Sequence, residues 1–103
     1  MTWIKASTTG CKDLSGLNIP YFINSKHIMH IELNLNRRNL AVEVSTIDGC
    51  RHYIFDANDY FDIPYSKLKC DDIENLLMKI ISIIKDADNR NIETLDLQKS
   101  LDT

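Results

Sequence analysis

Residues 40–55 read LAVEVSTIDGCRHYIF, and this stretch decides the fold class. Apolar residues recur at about every second position on both sides of Asp48-Gly49, which is the spacing of half-buried β-strands. Asp-Gly between two such runs is a strong signal for a two-residue type I′ turn, because both central residues of that turn need positive φ. The stretch therefore predicts a β-hairpin closed by Asp48 and Gly49.

A third strand is predicted just before this hairpin. The apolar side chains there again share one parity, at Met29, Ile31, Leu33 and Leu35. The polar segment 36–39, Asn-Arg-Arg-Asn, has the length and composition of a hairpin connection. Residues 28–55 are thus predicted to form a three-stranded antiparallel meander.

The two turns together fix a strand register, since a slip of one residue would move every side chain to the other face of the sheet. The predicted pairs are Val44 with Tyr53, Val42 with Phe55, Leu33 with Val42, and Ile31 with Val44. Both hairpins place their large apolar residues on one common face. That face is predicted to be the core.

A helix is predicted over DDIENLLMKIISIIKD, residues 71–86. Asp71 and Glu74 have the spacing of a capping box with an acidic first turn. The apolar residues fall in one arc of the helix, at Ile73, Leu76, Leu77, Ile80, Ile81, Ile83 and Ile84. The predicted fold is therefore α+β, with an antiparallel β-meander sheet covered on one face by a C-terminal α-helix.

The 103 residues have the length of one domain. Residues 1–86 are assigned to the α+β domain and residues 87–103 to a C-terminal tail, which either docks as a short element or frays. The segments TWIKAS and IPYFIN are apolar enough for extra strands, and residues 8–18 are predicted to be a loop. Neither a targeting signal nor an apolar segment of membrane-spanning length is found, so a cytoplasmic location is expected.

Cysteine and charge patterns exclude several classes of protein. Cys11, Cys50 and Cys70 are odd in number and widely spaced, which predicts small buried or half-buried thiols rather than a disulfide framework or a zinc site. The net charge is −3 and the pI is about 5.5, which disfavours a domain built to grip phosphate. No cofactor motif is found.

The same register gathers polar residues on the face opposite the core. His30 is predicted to pair with Ser45 and Ser45 with His52, while Glu32 pairs with Glu43 and Glu43 with Ile54. A catalytic pair of Glu32 and Glu43 would need a cleft that a flat sheet face does not offer. A metal site would suit imidazole and carboxylate ligands, but no local ligand spacing supports it. We predict instead a protein-interaction face, formed by His30, Glu32, Glu43, His52 and Ile54.

A series of short motifs runs along the chain: an Ile-Lys strand start, an Asn-x-x-x-Ile strand, an Asp-Gly hairpin and a final helix. The positions are Ile4-Lys5, Asn24, Ile28, Ile31, Asp48-Gly49 and Ile73. Over residues 1–85 this pattern resembles the small FlbD-like flagellar-operon proteins and their relatives, and the resemblance implies a small, non-enzymatic, regulatory or interaction role. The sequence departs from them by an insertion between Lys5 and Tyr21 and by the long connection DANDYFDIPYSKLK.

A second resemblance is to LytTR-type DNA-binding domains, which share the Asn-x-x-x-Ile strand and the Asp-Gly hairpin. Those domains contact DNA through basic residues after the last strand. Here the corresponding segment is Asp56-Ala57-Asn58-Asp59, whose carboxylates would repel phosphate. DNA binding is therefore disfavoured.

These observations predict a small cytoplasmic protein-interaction or regulatory module without catalytic activity, whose partner is another protein. Self-association is a further expectation, because Met78 lies outside the helix arc and residues 28–35 form an edge of the core sheet that a second copy would cover; the alternative is that the flanking strands cap this edge. The alternatives are a nucleic-acid-binding adaptor with a basic patch at Arg37, Arg38 and Arg51, a small metal-binding protein, a small metal-dependent enzyme with a pocket at Glu32 and Glu43, and a phage- or plasmid-encoded inhibitor.

Overall fold

The computed structural model describes the backbone of residues 1–12, 18–36 and 39–101, and the side chains in these ranges except at 8–12, 18–19, 36 and 39. The strands are β1 (Trp3–Lys12), β2 (Asn18–Asn24), β3 (Ile28–Asn36), β4 (Asn39–Thr46), β5 (Arg51–Asp56) and β6 (Thr94–Leu95), the α-helices are α1 (Cys70–Asn89) and α2 (Leu97–Leu101), and 3-10 helices cover Ser25–His27 and Tyr65–Lys67. The predicted α+β class is confirmed.

Five antiparallel strands form the sheet, in the order β2-β1-β5-β4-β3, and β6 pairs in parallel with the start of β1. The three-stranded meander is thus one half of a larger sheet. The segments TWIKAS and IPYFIN belong to β1 and β2. β1 continues to Lys12, into a stretch predicted to be a loop, and it joins the meander through the pairing of Ser7 with Tyr53.

The sheet is strongly curved. Its two edge strands, β2 and β3, are joined by a 3-10 helix of three residues, Ser25–His27. In a flat sheet of five strands the two edges would lie about 19 Å apart, whereas three residues of 3-10 helix rise about 6 Å. The backbone N–H of Ile47 also donates to the carbonyl of His27 at 3.0 Å, which ties this connection to the β4–β5 loop. The two edges of the sheet therefore approach each other at this end.

The first hairpin has the predicted register. Leu33 pairs with Val42 and Ile31 with Val44, and the two β3 residues, Ile31 and Leu33, pack against the core. Two other β3 residues of the predicted apolar face do not pack against the core. Met29 is 71% exposed, because a bulge near it shifts the register by one residue, and Leu35 is 62% exposed near the end of the strand.

The turn of the second hairpin differs from the predicted type I′ turn. Gly49 has φ of +85°, whereas φ at Asp48 is negative, so the loop is not a type I′ turn. The backbone N–H of Thr46 donates to Cys50 at 3.0 Å, and that of Gly49 donates to Thr46 at 2.8 Å. The loop therefore contains three residues, Ile47 to Gly49, with only its last residue in the left-handed region. The Asp48 carboxylate accepts from the Thr46 hydroxyl and from the Cys50 backbone N–H, which holds this turn in place.

The longer loop moves the register by one residue. Val44 pairs with His52, not with Tyr53, and Ser45 pairs with Arg51, not with His52. A β-bulge at Ile54 then absorbs one residue of β5, so that Val42 pairs with Phe55 as predicted. The prediction was thus wrong for the part of the hairpin between the loop and the bulge.

Helix α1 covers the inner face of the sheet, as predicted. Leu76, Ile80 and Ala87 are buried in the same cluster as the inward residues of the strands. The predicted capping box of Asp71 and Glu74 is wrong. The helix begins one residue earlier, and the Asp72 carboxylate accepts from the backbone N–H of Lys69 at 3.0 Å. Over the described residues, no helix is both long and apolar enough to cross a bilayer.

Residues that follow α1 are part of the core. Leu95 on β6 and Leu97 on α2 are both buried in the hydrophobic cluster. The side chain of Gln98 binds the backbone of Asp56 at both its N–H and its carbonyl, at 2.9 and 3.1 Å. The C-terminal segment is thereby attached to the end of β5.

The C-terminal part of α1 is fastened to the N-terminus of the chain. The Ser25 hydroxyl donates to the Asp88 carboxylate at 2.8 Å and accepts from the backbone N–H of Thr2 at 3.3 Å. Burial acts to raise the pKa of Asp88, but hydrogen bonds from Ser25 and Thr2 and the N-terminal charge outweigh it, so its pKa lies below the usual range. Asp88 thus stabilises the fold in its ionised form.

Asp88→Asn should lower the free energy of unfolding by about 1 to 2 kcal/mol at neutral pH, since a hydrogen bond to a charged group is lost. Because the folded-state pKa is lowered, this contribution is present above the unfolded-state pKa and is lost as the pH falls through the folded-state pKa. Chemical denaturation between pH 2 and 7 measures both effects. Asp86→Asn is the matched control, since Asp86 lies exposed on the same helix in a surface pair with Arg90. Equal losses for the two variants would contradict this role.

Candidate functional site

The outer face of the sheet carries a cluster of polar side chains from β3, β4 and β5. Asn34 donates to the Glu43 carboxylate at 2.6 Å, and Glu43 is only 7% exposed. Glu32 lies opposite Glu43 and is contacted by the Arg51 guanidinium at 3.6 Å and by the His30 imidazole at 3.9 Å. The opposed carboxylates are therefore compensated by neighbours on the same face.

Three of the five predicted interaction residues lie on this outer face, namely His30, Glu32 and Glu43. The other two do not. His52 pairs with the inward-facing Val44, so its imidazole lies on the core side, and Ile54 is buried in the hydrophobic core at the bulge. The one-residue longer loop is the physical cause, because it exchanges the two faces of β5 between loop and bulge.

Tyr53 takes the position that the prediction gave to Ile54, opposite Glu43. Burial raises the pKa of Tyr53, and the charge of Asp56, a hydrogen bond with Asp56 and the charge of Glu43 raise it further. The phenol is therefore held protonated and is a hydrogen-bond donor in this cluster. A group in this state does not serve as a base near neutral pH.

The described part of the chain contains no group of three His, Cys, Asp or Glu side chains close enough together to hold a metal ion. Arg51, one of the three residues of the predicted basic patch, is engaged by Glu32. The other two, Arg37 and Arg38, lie outside the described residues.

A second surface feature lies where β3, the edge strand, meets helix α1. An open groove of about 360 Å³ runs between them. Its lining is apolar apart from one carboxylate, and its residues are Ile31, Cys70, Ile73, Glu74, Leu77, Met78 and Ile81. Met78 is 56% exposed. Cys70 and Cys50 are exposed thiols, which corrects the prediction that they would be buried or half-buried.

The groove exists because α1 is apolar on two adjoining sides. Leu76 and Ile80 point into the core. The residue after each of them, Leu77 and Ile81, lies about 100° further round the helix and lines the groove. The predicted apolar arc of the helix is therefore wider than the sheet beneath it can cover. That width, with Met78 beyond it, was the signal in the sequence for this surface.

A smaller polar network lies beside the β4–β5 loop. The His52 imidazole contacts the Tyr21 hydroxyl at 2.6 Å through Nδ1 and the Thr46 hydroxyl at 3.0 Å through Nε2. The Thr46 hydroxyl also donates to the Asp48 carboxylate. These bonds fix the β4–β5 loop against β2 and leave both ring nitrogens occupied.

An aromatic groove of about 380 Å³ adjoins this network. Trp3, Phe22 and Ile47 are exposed at its rim, and His27 also lines it. Its polar atoms at His52, Thr46 and Asp48 already bind each other. The β3–α1 groove, in contrast, adjoins a sheet edge that can form new backbone hydrogen bonds.

The resemblance to FlbD-like proteins stays a prediction, as does the more distant one to LytTR-type domains. Comparison of the chain with protein-family models, with curated proteins and with solved structures gives no match.

Proposed function

We propose that this protein is a small, non-catalytic protein-interaction module that accepts an extended segment of a partner along edge strand β3. The observation that carries the proposal is the apolar groove between β3 and α1. The accepted segment would extend the sheet by one strand, and every second side chain would enter the groove.

The backbone of β3 supports this mode of binding. Within the described residues, β3 pairs with β4 and with no other strand. Natural edge strands are commonly guarded by lysine, proline or bulges, which discourage pairing with another chain. The sequence of β3, IMHIELNLN, contains neither lysine nor proline, and its bulge lies at the Met29 end. Residues 30–36 therefore remain available for pairing.

The side chains around the groove define the chemistry of the partner. Ile73, Leu77 and Ile81 would contact the partner's inward side chains, which are therefore expected to be apolar. Met78 adds an adaptable thioether at the rim, a residue type common at surfaces that accept varied partners. On the outer face, the partner would meet His30 and Glu32. An extended segment with apolar residues at every second position and polar residues between them fits both faces.

A non-catalytic role is supported by how the titratable groups are used. Glu43 accepts from Asn34, Glu32 is held by Arg51, and the two grooves are lined by other residues than these carboxylates. General acid–base catalysis needs a titratable group placed beside a substrate pocket. Glu74 is the sole carboxylate at the β3–α1 groove, and at the aromatic groove both His52 and Asp48 are bound by Thr46.

A random decapeptide library displayed on phage tests this proposal. We expect the wild-type protein to enrich peptides with apolar residues at alternate positions, because only these fill the groove while the backbone pairs with β3. Met78→Lys should abolish binding of the enriched peptides, since it places a charge at the rim of the groove, and it should leave the melting temperature nearly unchanged at this exposed site.

Lys79→Glu is the matched control, since Lys79 is exposed on the side of α1 opposite the groove. Its binding should equal that of the wild type. Enrichment of peptides without alternation, or equal binding by Met78→Lys, would overturn the proposal.

A further inference from the structure

We infer that the segment accepted by β3 is β3 of a second copy of this chain, paired antiparallel about a twofold axis at Ile31. The inference rests on the proposed function and names its partner. It follows from three features of this edge. These are the alternation of inward and outward residues along β3, the charges on its outer face, and the apolar side of α1 beside it.

Parity restricts the registers that two copies of β3 can adopt. Residues directly opposite in an antiparallel pair point to the same face of the sheet. A twofold axis perpendicular to the joined sheet keeps the inner face of each copy on the same side. Inward residues of one copy, such as Ile31, must then lie opposite inward residues of the other copy. This condition is met only in registers where the axis passes through one residue of β3, which then faces the same residue of the other copy.

Charge selects among these registers. With Glu32 on the axis, two carboxylates would lie directly opposite each other, which is unfavourable. With Leu33 on the axis, Glu32 would face the neutral Asn34. With Ile31 on the axis, His30 of each copy faces Glu32 of the other, so that symmetry supplies two complementary pairs. In the single chain these two side chains are already exposed and partly exposed on the outer face of the edge strand.

The exposed apolar side of α1 favours a second copy of the chain, rather than an isolated peptide strand, as the partner of β3. Joining the two sheets at β3 brings the two α1 helices side by side on the inner face. Their apolar flanks at Leu77, Met78 and Ile81 would then meet across the axis, and each groove would be closed by the other copy. A peptide brings only its own side chains into the groove, whereas a copy brings a strand and a matching helix flank.

Two variants of opposite charge test the register. His30→Glu makes the outer face of the edge acidic, and His30→Lys combined with Glu32→Lys makes it basic. Each variant alone would place like charges opposite each other twice, so its homodimer should be roughly tenfold or more weaker than that of the wild type. Mixed in equal amounts, the two variants should form a heterodimer at least as tight as the wild-type dimer, because both cross-strand pairs are then complementary.

Sedimentation velocity measures the dissociation constants, native mass spectrometry identifies the mixed dimer, and circular dichroism confirms that each variant is folded. Lys79→Glu changes the charge on the side of α1 opposite the groove and should leave the dimer unaffected. A wild-type protein that stays monomeric at high micromolar concentration, or variants that do not complement each other, would overturn the inference. If the protein does not form this dimer but the selected peptides still bind β3 in a Met78-dependent manner, the proposed function stands and only the inference is overturned. If neither the dimer nor the peptide binding is observed, both the inference and the proposed function are overturned.

Discussion

Val44→Asp is expected to abolish cooperative folding. Val44 is buried at the centre of β4, between Ile31 of β3 and His52 of β5. A carboxylate there would have no partner, and burying an unpaired charge costs several kcal/mol. Single domains of this kind are stable by only about 5–15 kcal/mol, so much or all of the stability is lost. Urea denaturation followed by circular dichroism should show no native baseline.

Ser45→Asp is the control for this result, because Ser45 is the next residue and faces outward. It pairs with His30 on one side and with Arg51 on the other, so an added carboxylate meets basic side chains. We expect a change of less than about 0.5 kcal/mol, the usual range for surface substitutions. Similar losses of stability in the two variants would show that the inward and outward faces of β4 are assigned wrongly.

Leu97→Ala should destabilise the protein by about 2–5 kcal/mol, the range observed when a buried leucine is truncated. Leu97 is fully buried on the short helix α2. The loss combines the transfer free energy of the removed atoms with the cavity that they leave. The free energy of unfolding from urea denaturation measures it.

Leu35→Ala makes the same chemical change at a site that is 62% exposed. It should alter the free energy of unfolding by less than about 0.5 kcal/mol. If Leu97→Ala were equally harmless, the C-terminal helix would not be part of the folded core, and the domain would end soon after α1.

The first hairpin was predictable because local signals agree there. A polar connection at residues 36–39 and a shared parity at Ile31 and Leu33 give one register, and the structure has it. The prediction failed for Met29 and Leu35 because periodicity marks a face of a strand but not where a bulge begins or where the covering layer stops.

The second hairpin misled the prediction through two compensating features. Asp-Gly signals a two-residue turn, but Thr46 and Cys50 bond to the Asp48 carboxylate and favour a three-residue loop. The run Tyr53-Ile54-Phe55 breaks the alternation of apolar and polar residues, which is itself a sign of a bulge. Since each feature shifts the register by one residue in opposite directions, the pair of Val42 with Phe55 was still correct.

The central position of β1 could not be read from local patterns. Its pairing with β5 joins Ser7 to Tyr53, and hydrophobic periodicity carries no information on contacts so distant in sequence. The groove was similarly implicit. The wide apolar arc of α1 and Met78 beyond it indicated spare apolar surface, but only the fold shows that this surface adjoins the edge strand that contains His30 and Glu32.

Hydrogen exchange at the backbone amides of β3 tests the central claim most directly. In dilute protein, alternate amides of residues 30–36 should exchange rapidly, because they point away from β4 towards solvent. The same amides should become protected when a peptide selected by the library is added, or when the protein concentration exceeds that of the dimer, while the amides paired with β4 stay protected throughout. Protection of all β3 amides in dilute monomer, or unchanged exchange in the bound state, would contradict the assignment of β3 as the strand-accepting edge.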